Sequence, residues 1–272
     1  MDRDNDSTIR IAGILNLTPD SFYSASRSRS MEAVRDAVIR LLGEGADMLD
    51  IGACSTRPGS APVSEQEELA RLESGMPVIL DTVSSGGDGN CLTHLSRHPI
   101  SVDTFRPEVA RQCVSRWGVS VINDISGGSE EMFRTVAELE AGYILTYSQR
   151  AEDDIIGSMI RFFETRLHQL ESAGASGIIL DPGFGFGKTL EQNYEVLAGM
   201  ARLKEFGLPV MVGVSRKSMA YKLLGITPEE SLEATTALHV LAMQSGADWL
   251  RVHDVGAAVQ AAAIFRKYKS FR

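Results

Sequence analysis

Ten polar residues of this 272-residue chain stand at or just past the ends of short apolar runs: Asn16, Asp50, Asp103, Asn123, Tyr147, Asp181, Ser215, Lys217, Arg251 and His253. One such residue is ordinarily a cap or a satisfied buried group. A whole series of them points to a site. Asp103, Asn123 and Asp181 supply two carboxylates and an amide. A metal ion is one use for that trio, but His253 is the only soft partner, and no His-x-His or His-Glu-x-x-His spacing occurs. The other use is to accept N–H donors from a flat heterocycle with a guanidine-like edge, at roughly 1.5–3 kcal/mol per charge-assisted bond.

Arg57, Arg216, Lys217, Arg251 and His253 form the basic set. Arg251 and His253 lie two residues apart on a predicted strand, so their side chains share a face that suits a phosphate or diphosphate. An ion pair with Asp254 or a neighbouring Asp is the ordinary alternative. The run Asp181-Pro182-Gly183-Phe184-Gly185-Phe186-Gly187-Lys188-Thr189 invites comparison with a phosphate-binding loop, but that template needs glycine where Pro182 stands. Its glycines fit a sharp turn between a strand and a helix, with Lys188 exposed.

These residues need a frame that gathers strand ends. Strands are predicted near Ile9–Asn16, Met48–Ala53, Ile100–Thr104, Val119–Asp124, Tyr143–Tyr147, Ile178–Asp181, Val210–Val214 and Leu250–Val255. Helical spacing separates them, as at Val34, Val38, Leu41 and Leu42, or Ile156, Met159, Ile160, Phe163 and Leu167. Gly45-Ala46-Asp47, Gly174-Ala175-Ser176 and Gly246-Ala247-Asp248 repeat as turns from helix to strand. Several strands are continuous apolar runs, as parallel strands covered on both faces should be. Eight such units in about 250 residues predict one α/β domain over residues 1–272, a (β/α)8 TIM barrel with its chemistry at the C-terminal strand ends. Gly75 to Pro99 resists the scheme and reads as an irregular crossover, with an extra strand at Val78–Leu80 and a Ser/Gly-rich loop from Ser84 to Asn90.

A net charge of −9 argues against a nucleic-acid partner or an anionic membrane surface. An anionic substrate must then be held by a local basic cluster. Cys54, Cys91 and Cys113 are odd in number and form no Cys-x-x-Cys pair, so reduced thiols are expected, without a disulfide frame or a zinc site. No apolar run reaches the length of a membrane span, and Met1 to Asp6 is polar. A cytoplasmic enzyme is the expectation.

In order along the chain, several segments together resemble the dihydropteroate synthase family. They are Gly13-Ile14-Leu15-Asn16-Leu17-Thr18-Pro19-Asp20-Ser21-Phe22, Asp50-Ile51-Gly52 with Ser55-Thr56-Arg57-Pro58-Gly59, Ser101-Val102-Asp103-Thr104, Ile122-Asn123-Asp124-Ile125-Ser126-Gly127, Asp181 to Lys188, Ser215-Arg216-Lys217-Ser218 and Arg251-Val252-His253-Asp254-Val255. The resemblance implies a transferase of folate biosynthesis that condenses a dihydropterin methyl diphosphate with p-aminobenzoate and releases diphosphate. It also implies Mg²⁺ on the diphosphate, with Asn16 as the protein's metal contact, and a homodimer. By the same resemblance Asp103, Asn123, Asp181 and Lys217 hold the pterin, and Asn16, Thr56, Arg251 and His253 hold the diphosphate. Pro58, Phe184, Ser215 and Lys217 border the aminobenzoate, Arg57 comes in on a loop, and Asp103, Lys217 and Arg251 are the catalytic set. The chain departs from the family at Tyr23-Ser24-Ala25-Ser26, where Asp-Gly-Gly is common. It departs again at Cys54, where Glu is common, and at Thr146-Tyr147, which replaces a Met-His pair.

Overall fold

The computed structural model describes residues 8–17, 27–54, 63–85, 99–150 and 153–271. Within them, eight parallel strands run in the order β6-β5-β4-β3-β2-β1-β8-β7. They are β1 (Arg10–Asn16), β2 (Met48–Gly52), β3 (Ile100–Asp103), β4 (Val121–Asp124), β5 (Gly142–Thr146), β6 (Ile178–Asp181), β7 (Met211–Val212) and β8 (Trp249–Val252). A bridge between Leu180 and Val210, with Leu180 N donating to Pro209 O at 2.9 Å, joins β6 to the β7 side and closes the barrel. The predicted (β/α)8 barrel is therefore the observed fold, and most strand boundaries differ from prediction by one or two residues. Leu250–Val255 is the exception at its far end, because Val255 already opens a helix.

Nine helices cover the outside of the barrel among the described residues: α1 (Arg27–Gly43), α2 (Glu65–Ser85), α3 (Pro107–Trp117), α4 (Glu130–Glu138), α5 (Ile155–Ala173), α6 (Leu190–Gly199), α7 (Ser218–Leu224), α8 (Leu232–Gln244) and α9 (Val255–Lys269). Local chemistry starts several of them. Ser129 accepts from Met132 N, Asp154 accepts from Gly157 N, and Thr189 and Gln192 form a reciprocal capping box. The repeated Gly-Ala-Asp turns have a second use. Asp47 accepts from Ile11 N at 2.8 Å and Asp248 from Val210 N at 2.7 Å, so each turn ties down the start of a neighbouring strand.

Val78–Leu80 is not a strand. It lies within α2, which runs unbroken through Pro77. Leu72, Met76, Ile79 and Val83 recur at intervals of four, three and four and are all buried. Burial of that stripe outweighs the hydrogen bond lost at Pro77. The Ser/Gly-rich loop falls largely outside the described residues, as do Thr18–Phe22, Tyr23–Ser26 and Ser55–Gly59.

Strand alternation divides the barrel into two environments. Even-numbered residues of β1, β2, β5 and β8's odd-numbered ones share the inward face set by register, for Ala12 pairs with both Met48 and Arg251, and Asn123 pairs with Ile144. Ala12, Met48, Ile144, Ile179, Met211 and Trp249 form one closed apolar cluster, the floor of the barrel interior. One pleat higher, the inward positions change to Asp50, Asp103, Asn123, Thr146, Asp181 and Arg251.

Outward-facing residues bury against the helices and anchor the strands that carry the site. Tyr143 of β5 donates its hydroxyl to Asp124 of β4 at 2.7 Å and packs edge-on to Phe133 of α4. Tyr143→Phe would leave one oxygen of a fully buried carboxylate without that donor. The expected loss is about 1.5–3 kcal/mol in urea-induced unfolding, and an unchanged midpoint would contradict this role for the hydroxyl.

Candidate active site

The inward ring above the apolar floor brings together most of the residues singled out by sequence. Arg251 projects from β8 across the barrel. Its Nε donates to Asp50 Oδ2 at 2.6 Å, and its Nη2 donates to Asp103 Oδ2 at 3.1 Å. Asn123 Nδ2 lies 3.4 and 3.3 Å from the two oxygens of Asp50. Asp181, at the end of β6, accepts from Gly183 N at 2.7 Å. All four acidic and amide side chains are buried: Asp50 0%, Asn123 1%, Asp181 7% and Asp103 9% exposed.

The turn after β6 brings Lys217 in from the far side. Lys217 Nζ donates to Phe184 O and stands 4.8 Å from the centre of the Phe186 ring. Gly183 adopts φ 68°, and a Cβ there would collide with the carbonyl oxygen of Tyr147, so glycine is required for the turn to close over β5. Lys188, expected to be exposed, is instead tied to backbone carbonyls. Its Nζ donates to Tyr147 O at 3.0 Å, Gly183 O at 2.8 Å and Phe186 O at 3.3 Å, bolting the turn to β5. Three carbonyls gathered around one ammonium explain the position of a lysine that pattern alone left without work.

Two further expectations change. Phe184 is fully buried, so it presents its carbonyl and not its ring, whereas Phe186, half-buried beside Lys217, is the aromatic at the rim. Alternation along the glycine-rich run could have distinguished them, but that run is a turn and carries no strand period. Arg216 is not part of the basic set at the mouth. Left-handed backbone at φ 53° turns it away, and it forms a two-point ion pair with Asp254, with Nε at 2.9 Å and Nη2 at 2.8 Å. His253 lies past the end of β8, where Nδ1 is 3.1 Å from Ser215 Oγ and its own N–H donates to that oxygen at 3.2 Å. Arg251 is drawn inward by two carboxylates, whereas His253 is held against Ser215 at the end of β8.

Asn16 closes β1 at the mouth, with Oδ1 beside the Cα of Gly52. Thr56, Arg57 and Pro58 lie outside the described residues. Cys54, at the end of β2, sits 3.6 Å from Arg106 Nη1, and Arg106 is paired with the buried Glu68. Burial pushes its thiol up to about 11, which keeps it protonated and unreactive.

The electrostatics follow from burial. It pushes the Asp103 carboxyl up to about 7, with Arg251 opposing the shift and Asp50, Asp124 and Glu68 adding to it. Burial also raises Asp181, against the pull of Lys217, Gly183 N–H and Arg251. It brings Lys217 down to about 8, opposed by Asp181. Arg251 is driven down by burial but carried well above its ordinary value by Asp50 and Asp103. Among the described residues, Ser101 Oγ, Asn123 Oδ1 and Thr146 Oγ1 on the inward faces of the strands lack a hydrogen-bond partner, as do the ring nitrogens of His239 outside the mouth. Buried polar atoms are nearly always satisfied, so three orphans around one mouth mark where a polar ligand belongs.

Comparison with known proteins agrees with this geometry. Residues 12–253 match the family model described as "Pterin binding enzyme". The dihydropteroate synthase of Escherichia coli K12 is 38% identical over 264 residues, covering 92% of this chain and 88% of its own. A dihydropteroate synthase from Clostridium difficile, solved in the presence of pteroic acid, superposes with a TM-score of 0.87 at 34% identity, covering 97% of this chain and 98% of that one. One from Xanthomonas albilineans, solved with 4-aminobenzoic acid, gives 0.85 at 38% identity, covering 96% and 93%.

The raised carboxyl of Asp103 has a measurable consequence. Between its ordinary value of 3.8 and about 7 the folded state holds a proton that the unfolded state has lost, so stability falls as pH rises across that window. Thermal unfolding from pH 4 to 8 should show this decline, with a shallower slope in Asp103→Asn. Identical slopes in the two proteins would mean that Asp103 does not titrate there.

Proposed function

The chain belongs to the dihydropteroate synthase family of pterin-binding enzymes, and from that membership we propose how its barrel mouth performs the reaction. It is a transferase that condenses a dihydropterin methyl diphosphate with p-aminobenzoate, giving dihydropteroate and diphosphate. The observation that carries the residue assignment is the inward ring of Asp103, Asn123 and Asp181 with an unpartnered acceptor at its centre. A pterin has a guanidine-like edge, and ionised carboxylates accept N–H donors from such an edge in parallel pairs. Asp103, Asn123 and Asp181 bind that edge, and Lys217 supplies a donor to the ring's carbonyl side.

The bond that breaks joins the methylene carbon to the diphosphate oxygen. Positive charge develops on the methylene and ring, where Asp103 and Asp181 stabilise it, and negative charge leaves with the diphosphate toward Arg251 and His253. The neutral amine of p-aminobenzoate supplies the electron pair for the new carbon–nitrogen bond and then loses a proton. No strong base is required. Phe186, Lys217 and Ser215 border the aminobenzoate; Thr56, which the family places at the diphosphate, Pro58, which it places at the aminobenzoate, and Arg57 lie outside the described residues.

Among the described residues no cluster of three His, Cys, Asp or Glu is arranged to hold a metal. Asn16 offers one hard oxygen, which fits a Mg²⁺ whose other ligands are water and diphosphate oxygens. Bound there, the ion supplies charge neutralisation to the leaving group. The proposed assembly is a homodimer. Leu223 and Leu224 of α7 and Val240 and Leu241 of α8, which pack together, are all substantially exposed and support it. Leu224→Glu with Leu241→Glu should halve the mass measured by sedimentation equilibrium, and an unchanged mass would move the interface elsewhere.

The reaction is tested directly by supplying the pterin diphosphate, Mg²⁺ and p-aminobenzoate, then measuring diphosphate release and pteroate formation. Arg251→Ala should weaken the diphosphate substrate more than the corresponding pterin alcohol, by tenfold or more, on the order of 1.4 kcal/mol. Equal losses would assign Arg251 to holding Asp50 and Asp103 alone.

A further inference from the structure

Asp50 has no place in the scheme above, yet it is the most enclosed charged group in the mouth. Its side chain is fully buried, receives Arg251 Nε at 2.6 Å, and faces Asn123 Nδ2 across 3.3 and 3.4 Å. A carboxylate paired with a guanidinium can only accept hydrogen bonds. The amide of Asn123 must therefore turn its NH2 toward Asp50, because the opposite orientation would set a carbonyl oxygen against two carboxylate oxygens at the same distance. The consequence is visible at the other end of the amide. Asn123 Oδ1 has no partner although the residue is 1% exposed.

We infer that Asp50 is a positioning and specificity-determining residue, which fixes the Asn123 amide with its oxygen toward the ligand and so makes the mouth select a ring with an N–H donor at that point. The inference rests on the pterin reading for its ligand but not for its geometry. The ring class it selects carries an exocyclic amino group; the same ring with oxygen in that place would set acceptor against acceptor. Leaving a buried acceptor unpaired is the stronger half of such discrimination, since the correct donor satisfies it and the analogue cannot.

The test exchanges the acceptor-only group for one that can donate. In Asp50→Asn, Arg251 Nε claims the new amide oxygen, which leaves an NH2 facing Asn123 and turns the Asn123 amide over. Calorimetry with a 2-aminopteridin-4-one and with its 2-oxo counterpart should show wild type favouring the amino compound, and the variant should lose at least tenfold of that preference. A pocket that had merely loosened would weaken both ligands by one factor and leave the preference intact, and that result would overturn the inference. A second measurement needs no variant. The Asn123 side-chain amide protons of the ¹⁵N-labelled wild-type protein should be protected from exchange without ligand, and rapid exchange would overturn the inference equally. Failure of wild type to bind either ring would instead count against the pterin reading, with the exchange measurement still deciding the orientation of Asn123.

Discussion

Arg251 reaching from β8 to Asp50 on β2 and Asp103 on β3 is the interaction on which the site depends. Three aspartates point into one narrow interior, above a floor of Met48, Ile144, Ile179, Met211 and Trp249 that offers them nothing. Taking a carboxylate out of water without a partner costs several kcal/mol, and three such groups in one place would not stay ionised. A single guanidinium with its donors in a fixed fork serves two of them at once. Lys217 serves the third through charge, while its hydrogen bond goes to Phe184 O. Such pairs are weak evidence for stability, since apolar substitutes often do as well. Their contribution is orientation: Asp50 and Asp103 are fixed through Arg251, and Asp181 through the Gly183 N–H.

Much of this was legible in the sequence because a strand has a period of two. The eight apolar runs gave the barrel, and the polar residues at their ends gave Asp103, Asn123 and Asp181 as one group. What escaped was whatever period does not govern. Arg251 and His253 share strand parity in the sequence, but β8 ends at Val252, and their partners differ: Asp50 and Asp103 for Arg251, Ser215 for His253. Phe184 and Phe186 lie in a turn shaped by left-handed glycines, where alternation says nothing about which ring is buried. Lys188 gained its role from three backbone carbonyls, a kind of acceptor that every sequence carries everywhere. The helical path through Pro77, where a strand at Val78–Leu80 is expected from sequence, is decided by burial of the Leu72, Met76, Ile79 and Val83 stripe in the fold.

The departures from the family pattern meet the same electrostatic rule. Cys54, where Glu is common, adds no charge beside Arg106, which already has Glu68 as a buried partner. Thr146 brings a hydroxyl into the inward ring next to Asp181, where register pairs the two residues directly. Its unpartnered Oγ1 lies on the same side as Asn123 Oδ1, so the replacement leaves the mouth more polar.

Acidic and basic groups are mixed in the mouth, with Arg251 between Asp50 and Asp103, and this mixing bears on how the substrate binds. Asp103 Oδ2 is already occupied by Arg251, so a ring N–H that takes that oxygen competes with the guanidinium. In the proposed reaction, a diphosphate that draws the guanidinium outward frees the oxygen for the ring. Asp50 resists that movement, because its Oδ2 lies 2.6 Å from both Nε and Nη2. In the proposed reaction the two halves of the substrate thereby favour one another through Arg251, the diphosphate by drawing it and the ring by taking the Asp103 oxygen it leaves. By the same proposal, once the carbon–oxygen bond has broken and the diphosphate has left, the guanidinium competes with the ring for Asp103 Oδ2 again.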